Sequence, residues 1–216
     1  MTLKKNLDVV IFEKLNDEIV CGKWTAGESL DIDEIAKRYD VSRTPVQQAL
    51  KKMDTLGMVK FSSKGHVYAR SFDKKQVEDI CEIRLLLELE ALHIIEREKI
   101  LLDFDYLWRI SRDCIESNLA NNVVQTRRTD LQFHRNLVFQ AKNECLYDLF
   151  MKVHGQFVVA NYLQTRHTHR QQEIASDEHE KLLEAIRDGD FELARSITTN
   201  HIQEACKKIL MRMKNE

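Results

Sequence analysis

Asp130, His134, His179 and His201 are the side chains whose types and placement point most directly to chemistry. Each falls on the apolar stripe of a predicted helix. Asp130 and His134 are four apart, one turn along one face, in register with Phe133, Leu137, Val138 and Ala141. His179 lies on the stripe of Ala175, Leu182, Leu183 and Ile186, and His201 on that of Ala194, Ile197, Ile202, Ala205 and Ile209. Buried polar groups need partners, and buried charges need counter-charges. A lone core histidine bonded to a carbonyl is ordinary. One carboxylate with three imidazoles also suits a divalent cation such as zinc, nickel or manganese. Spacing leaves both readings open. His93 and His154 are isolated, and His167 with His169 forms an HxH in a polar stretch.

Arg84 raises a related question. In VEDICEIRLLLELEALHII the stripe is Val77, Ile80, Cys81, Leu87, Ala91 and Ile95, and Arg84 and Glu88 interrupt it. Either the two form an ion pair within the bundle, or the arginine receives a ligand carboxylate in two-point fashion.

The elements that must position these groups are helical. Six glycines and one proline in 216 residues are few turn-formers. From residue 72 onward, helices are expected over about 75–99, 103–121, 124–141, 144–165, 171–188 and 190–213, an all-helical bundle. The N-terminal part differs. Helices are expected at 7–21 and 31–39, separated by the loop CGKWTAGESL, and a third follows in VSRTPVQQALKKMDTLG. In that third helix Ser42 is a cap candidate, Pro45 fits only the first turn, and Gly57 suits the exit. Val46, Ala49, Leu50, Met53 and Leu56 form its inner stripe, while Arg43, Thr44, Gln47, Gln48, Lys51 and Lys52 lie opposite. Two alternating strands, 58–61 and 66–69, then make a hairpin. Three helices and a hairpin predict a winged helix-turn-helix over 1–71, followed by an all-α ligand-binding domain over 72–216.

Charge agrees with that division. Residues 41–70 carry six Lys/Arg against one Asp/Glu, a net +5, while the whole chain is at −2. A local basic patch on an acidic chain fits docking to double-stranded DNA through one small surface. Arg43, Thr44 and Gln47 stand where side chains reach base edges, with Gln48 beside them. Lys51, Lys52 and Lys64 would contact phosphates, and Gly65 and His66 complete the wing tip. The five cysteines are scattered and never in CxxC spacing, so neither a disulfide framework nor a cysteine zinc site is expected. With no signal-peptide core and no apolar span, the expectation is a soluble cytoplasmic protein without membrane contact.

The order GKWTAGESL, IAKRYDVSRTPVQQALKKMDTLGMVKF and KGHV resembles the winged helix of the GntR family of transcriptional regulators. The family usually has a second arginine in its PVR segment, where this chain has Gln47. RLLLELEA, DLQFH, AKNECL, SDEHEKLLEAIRDGDFELA and NHI are similar to the FCD domain of the FadR-like subgroup. The resemblance implies a homodimer and a metal held by Asp130, His134, His179 and His201. It also implies a small carboxylate effector facing Arg84, and repression as the default. The resulting expectation is an effector-responsive regulator with no catalytic residues. The rival is a metal-dependent, hydrolase-like enzyme using the Asp/His cluster, which would need a base that the sequence does not clearly supply.

Overall fold

The computed structural model describes residues 6–163 and 177–213. The HxH at His167 and His169, and residues 171–176 of the expected fifth bundle helix, lie outside them. The chain divides into two compact units, Met1–Asp73 with Gly155–Arg166, and Lys74–His154 with His167–Glu216.

The first unit contains α1 (Leu7–Val20), β1 (Ser29–Leu30), α2 (Ile32–Arg38), α3 (Arg43–Thr55), β2 (Val59–Phe61) and β3 (Val67–Ala69). Ile11, Leu15 and Ile19 of α1 are buried, as are Val46, Ala49, Leu50 and Met53 of α3. The α3 stripe is the one that helical spacing predicts, except that Leu56 is only half-buried; on α1 the expected stripe of Val9, Val10, Phe12, Leu15 and Ile19 is rotated, with Ile11 buried and Val9, Val10 and Phe12 half-buried. Asp31 caps α2 by accepting from the amides of Asp33 and Glu34. Ser42 occupies the corresponding position before α3, but its side chain makes no capping bond. At the exit of α3, Gly57 has φ +70° and donates to Asp54, while Met58 donates to Met53. This left-handed turn ends the helix and satisfies its last carbonyls.

The hairpin pairs Val59 with Ala69 and Phe61 with Val67. A third strand, β1, pairs Leu30 with Val67 on the other side of β3. The loop reading of CGKWTAGESL missed it, because a two-residue strand has no alternation to read.

A buried carboxylate ties this unit together. Glu18 of α1, 4% exposed, accepts from the indole N–H of Trp24 at 3.0 Å and from Arg38 of α2 at 2.8 Å. Burial, and then Glu18, raise the Tyr39 phenol to about 12. Glu18→Ala removes the acceptor and leaves the indole N–H unpaired. It should cost about 2–3 kcal/mol, read as an earlier melting transition of the winged helix. A loss below 1 kcal/mol would refute the tie.

The second unit is built from α4 (Lys74–Arg97), α5 (Phe104–Leu119), α6 (Val123–Gln140), the first turns of α7 (Glu144–Tyr162), α8 (Glu178–Arg187) and α9 (Phe191–Met213). Asp103 and Asn122 cap α5 and α6 through their side chains. Leu92, Ile95, Leu107, Phe133, Leu137, Phe150, Leu183 and Ala194 belong to one apolar core. Helix α4 packs on α6 and α9, and α5 on α6 and α8. Glu96, near the end of α4, pairs with Arg195, near the start of α9, at 2.6 Å. Toward their opposite ends, Cys81 and Cys206 are joined in a disulfide. The two helices therefore run antiparallel. That bridge corrects the expectation of unpaired cysteines: the partners are 125 residues apart, and only the register of α4 on α9 brings them together.

Candidate functional site

Helix α6 presents Asp130 and His134 from adjacent turns, α8 presents His179 from its first turn, and α9 presents His201 from its middle. One donor atom from each, three imidazole nitrogens and a carboxylate oxygen, lies within 4.8 Å of every other. The four residues singled out on their stripes thus converge. His134 and His179 are buried, and Asp130 and His201 are half-buried.

Two carboxylates fix the orientation of two rings. Nδ1 of His134 lies 2.8 Å from Oε2 of Glu88, and Nδ1 of His201 lies 2.7 Å from Oε2 of Glu178. A carboxylate only accepts, so each Nδ1 carries a proton, and the Nε2 of a neutral ring presents a lone pair. Those two Nε2 atoms face one another at 3.0 Å. Two Nε2 atoms at that distance need a proton or a cation between them. A second proton on His134 is disfavoured, since burial, and also the charge of Arg84, lower its pKa despite Glu88. His179 stacks on Phe133 with centroids 4.0 Å apart, and its Nε2 has no hydrogen-bond partner among the described residues. Burial first, then His134 and His201, push its pKa well below the ordinary histidine value. Asp130 Oδ1 is 3.6 Å from that Nε2. Three imidazole nitrogens turned toward one another and one carboxylate are the donors a divalent cation takes. The residues present fit the group.

Arg84, 1% exposed, has its Nε 2.8 Å from Oε1 of Glu88. The ion pair offered as one reading of Arg84 is therefore present, but the carboxylate is shared: its other oxygen holds His134. Burial would raise the pKa of Glu88, and His134 and Arg84 together pull it well below the carboxylate range. The bridging role of Glu88 and the role of Glu178 were missed, and no local spacing signals either. His154, set aside as isolated, is buried and stacks on Phe150, and its Nδ1 has no hydrogen-bond partner among the described residues. Burial, then Arg84 and His134, hold it neutral.

In the first unit, Arg43, Thr44, Gln48 and Lys51 are exposed on α3, and Gln47 is half-buried. Arg43 is held by Asp33 of α2 at 2.8 Å, both side chains being largely exposed. Lys52, also exposed, lies 4.6 Å over the ring of Phe12 of α1. At the wing tip Lys64, Gly65 and His66 are exposed. The tip is closed by Gly65, at φ +81°, donating to Ser62, and by Ser62 donating to His66.

A winged helix-turn-helix joined to an all-helical bundle with an Asp/His cluster defines the class: a DNA-binding regulator with a separate helical domain. Residues 7–68 match the model of bacterial regulatory proteins of the gntR family, and residues 79–204 match the FCD domain. The chain belongs to the gntR family of transcriptional regulators, in its FCD-bearing form. It is 25% identical over 202 residues to the uncharacterized HTH-type transcriptional regulator YdhC of Bacillus subtilis, covering 92% of this chain and 88% of that one. It is 28% identical over 138 residues to the gluconate operon transcriptional repressor of the same organism, 62% of this chain and 55% of that one. Among solved structures, Escherichia coli McbR/YncC shares the fold with a TM-score of 0.80 at 18% identity, over 96% of this chain and 98% of that one. The family and the two Bacillus subtilis relatives are regulators rather than enzymes. Members bind operator DNA and typically dimerise, and FCD domains bind small effectors and, in some members, metals. Among the described residues no helix is long and apolar enough to cross a membrane.

Proposed function

We propose that this chain is a metal-containing, homodimeric and cytoplasmic repressor whose affinity for operator DNA is set by a small organic acid in the helical domain. The observation that carries the metal is the pair of facing Nε2 atoms on His134 and His201, 3.0 Å apart, with both Nδ1 atoms held by Glu88 and Glu178. Asp130, His134, His179 and His201 would hold zinc, nickel or manganese. A cation held there supplies a Lewis-acid anchor for an effector carboxylate. Arg84 offers a second cationic group, oriented by Glu88 from the same helix turn. His154, buried and neutral, adds a hydrogen-bonding ring in the surroundings of Arg84. Repression follows the family default and the name of the gluconate operon relative.

On the DNA side, Arg43, Thr44, Gln47 and Gln48 read bases, and Lys51, Lys64, Gly65 and His66 contact the backbone. Two copies would address two half-sites. Arginine pairs best with guanine O6/N7, and glutamine with adenine N6/N7. Gln47 should therefore shift one base of each half-site away from the usual family operator. The test is selection of sites from a random DNA pool by the purified protein and by Gln47→Arg. The variant is expected to regain guanine at one position per half-site, a preference change of about 1–3 kcal/mol. Identical preferences in the two pools would refute the assignment, and failure to enrich any site would sink the regulator. Metal analysis of the same sample, followed by titration with a panel of carboxylic acids, tests the other half. An acid that changes operator affinity supports the effector reading; no change with any acid in the metal-replete protein argues that the cation is structural only.

A further inference from the structure

Cys81 and Cys206 stand apart from the other three cysteines. Cys21 and Cys145 are exposed and Cys114 is buried, and none of these three is in a disulfide. Cys81 and Cys206 are each only 7% exposed, with Cα atoms 6.2 Å apart, a separation that a disulfide spans without moving the backbone. Their position matters more than their packing. On α4, Cys81 lies one turn before Arg84 and about two turns before Glu88. On α9, Cys206 follows His201 by little more than one turn. The antiparallel pair is tied at one end by Cys81–Cys206 and at the other by Glu96–Arg195. Glu88 and His201 lie between those ties, and both touch His134.

We propose that Cys81 and Cys206 form a redox-linked modification site, a thiol pair that a peroxide closes and a dithiol opens, and whose closure clamps α9 to α4 beside the Asp/His cluster. In closure one thiol attacks the O–O bond of hydrogen peroxide, giving a sulfenic acid and one water. The second thiol then attacks that sulfur, the S–S bond forms, and a second water leaves. Two electrons pass from the two sulfurs to one peroxide, and dithiol exchange reverses the change. In a reducing compartment disulfides are transient and redox-sensing, which is the behaviour assigned here. The clamp itself depends only on α4 and α9; its effect on a cation rests on the metal reading above.

The experiment uses the full chain loaded with Zn²⁺. It is treated with hydrogen peroxide or with dithiothreitol and then freed of reagent. Differential alkylation and peptide mapping should find a Cys81–Cys206 linked peptide in the oxidised sample only. Hydrogen exchange at the amides around Glu88 and His201 should slow on oxidation. Release of Zn²⁺ to a chromophoric chelator should slow on the order of 10-fold. Cys81→Ser and Cys206→Ala, checked for helix content, should lose both differences while keeping Cys21, Cys114 and Cys145. No linked peptide overturns the proposal, and so does a linked peptide with unchanged exchange. Slower exchange with unchanged Zn²⁺ release overturns the coupling to the cluster. Failure of both forms to take up Zn²⁺ refutes the metal reading instead, and the exchange rates then decide the clamp alone.

Discussion

Arg84→Ala should cost the helical unit about 3–5 kcal/mol, seen as a large fall in its denaturant midpoint. The guanidinium is 1% exposed and pairs with a carboxylate that is also 1% exposed. Two such charges gain little over a well-packed apolar pair, but removing one strands the other in a medium that cannot solvate it. Among the described residues Glu88 would keep His134, whose own protonation burial opposes. Because its folded pKa lies below the unfolded value of about 4.3, Glu88 contributes stability above that pH and loses it as pH falls. In the variant this contribution shrinks, so the stability difference between pH 7 and pH 4 should narrow. Adding Glu88→Gln to Arg84→Ala should recover part of the loss, since the stranded charge is gone. A single variant within 1 kcal/mol of the parent would mean that the pair is solvated in solution.

The second large effect is expected at His134. His134→Ala removes one donor of the cluster and also the ring that Glu88 orients. Zn²⁺ affinity should drop by on the order of 100-fold or more, because loss of the orienting partner alone costs about 10–100-fold in such sites. Competition with a chromophoric chelator measures it. Glu88→Gln should fall between parent and alanine variant, and exposed His93→Ala should bind like the parent. Metal content unchanged in His134→Ala would remove that residue from the ligand set.

The fold was largely readable, and the reason is periodicity. Val46, Ala49, Leu50 and Met53 repeat at helical spacing and are buried. Asp130, His134, His179 and His201 were readable because they break apolar stripes, which is where a polar residue must have a purpose. What escaped was set by register between distant segments. Glu88 could be paired with Arg84 four residues away, but not with His134 46 residues on. Cys81 and Cys206 needed the alignment of two antiparallel helices, and Leu30 needed the far edge of the wing. Glu18 looked like any polar position on α1; Trp24 and Arg38 make it a buried anchor. Gly155 is another such case: a Cβ there would collide with the carbonyl of Leu56, a closeness that nothing in HGQF announces.

The shared carboxylate of Glu88 has a thermodynamic consequence. One oxygen serves a guanidinium and the other an imidazole, so its electron density is divided between them. An anion that draws Arg84 away leaves Glu88 a stronger base toward the Nδ1 proton of His134, and the ring's Nε2 becomes the better donor. Linkage requires the converse by the same factor: a cation on that Nε2 must make Arg84 easier to draw away. Anion and cation would thus each raise the other's affinity through one side chain that need contact neither, and Glu88→Gln should reduce that cooperativity even where both still bind.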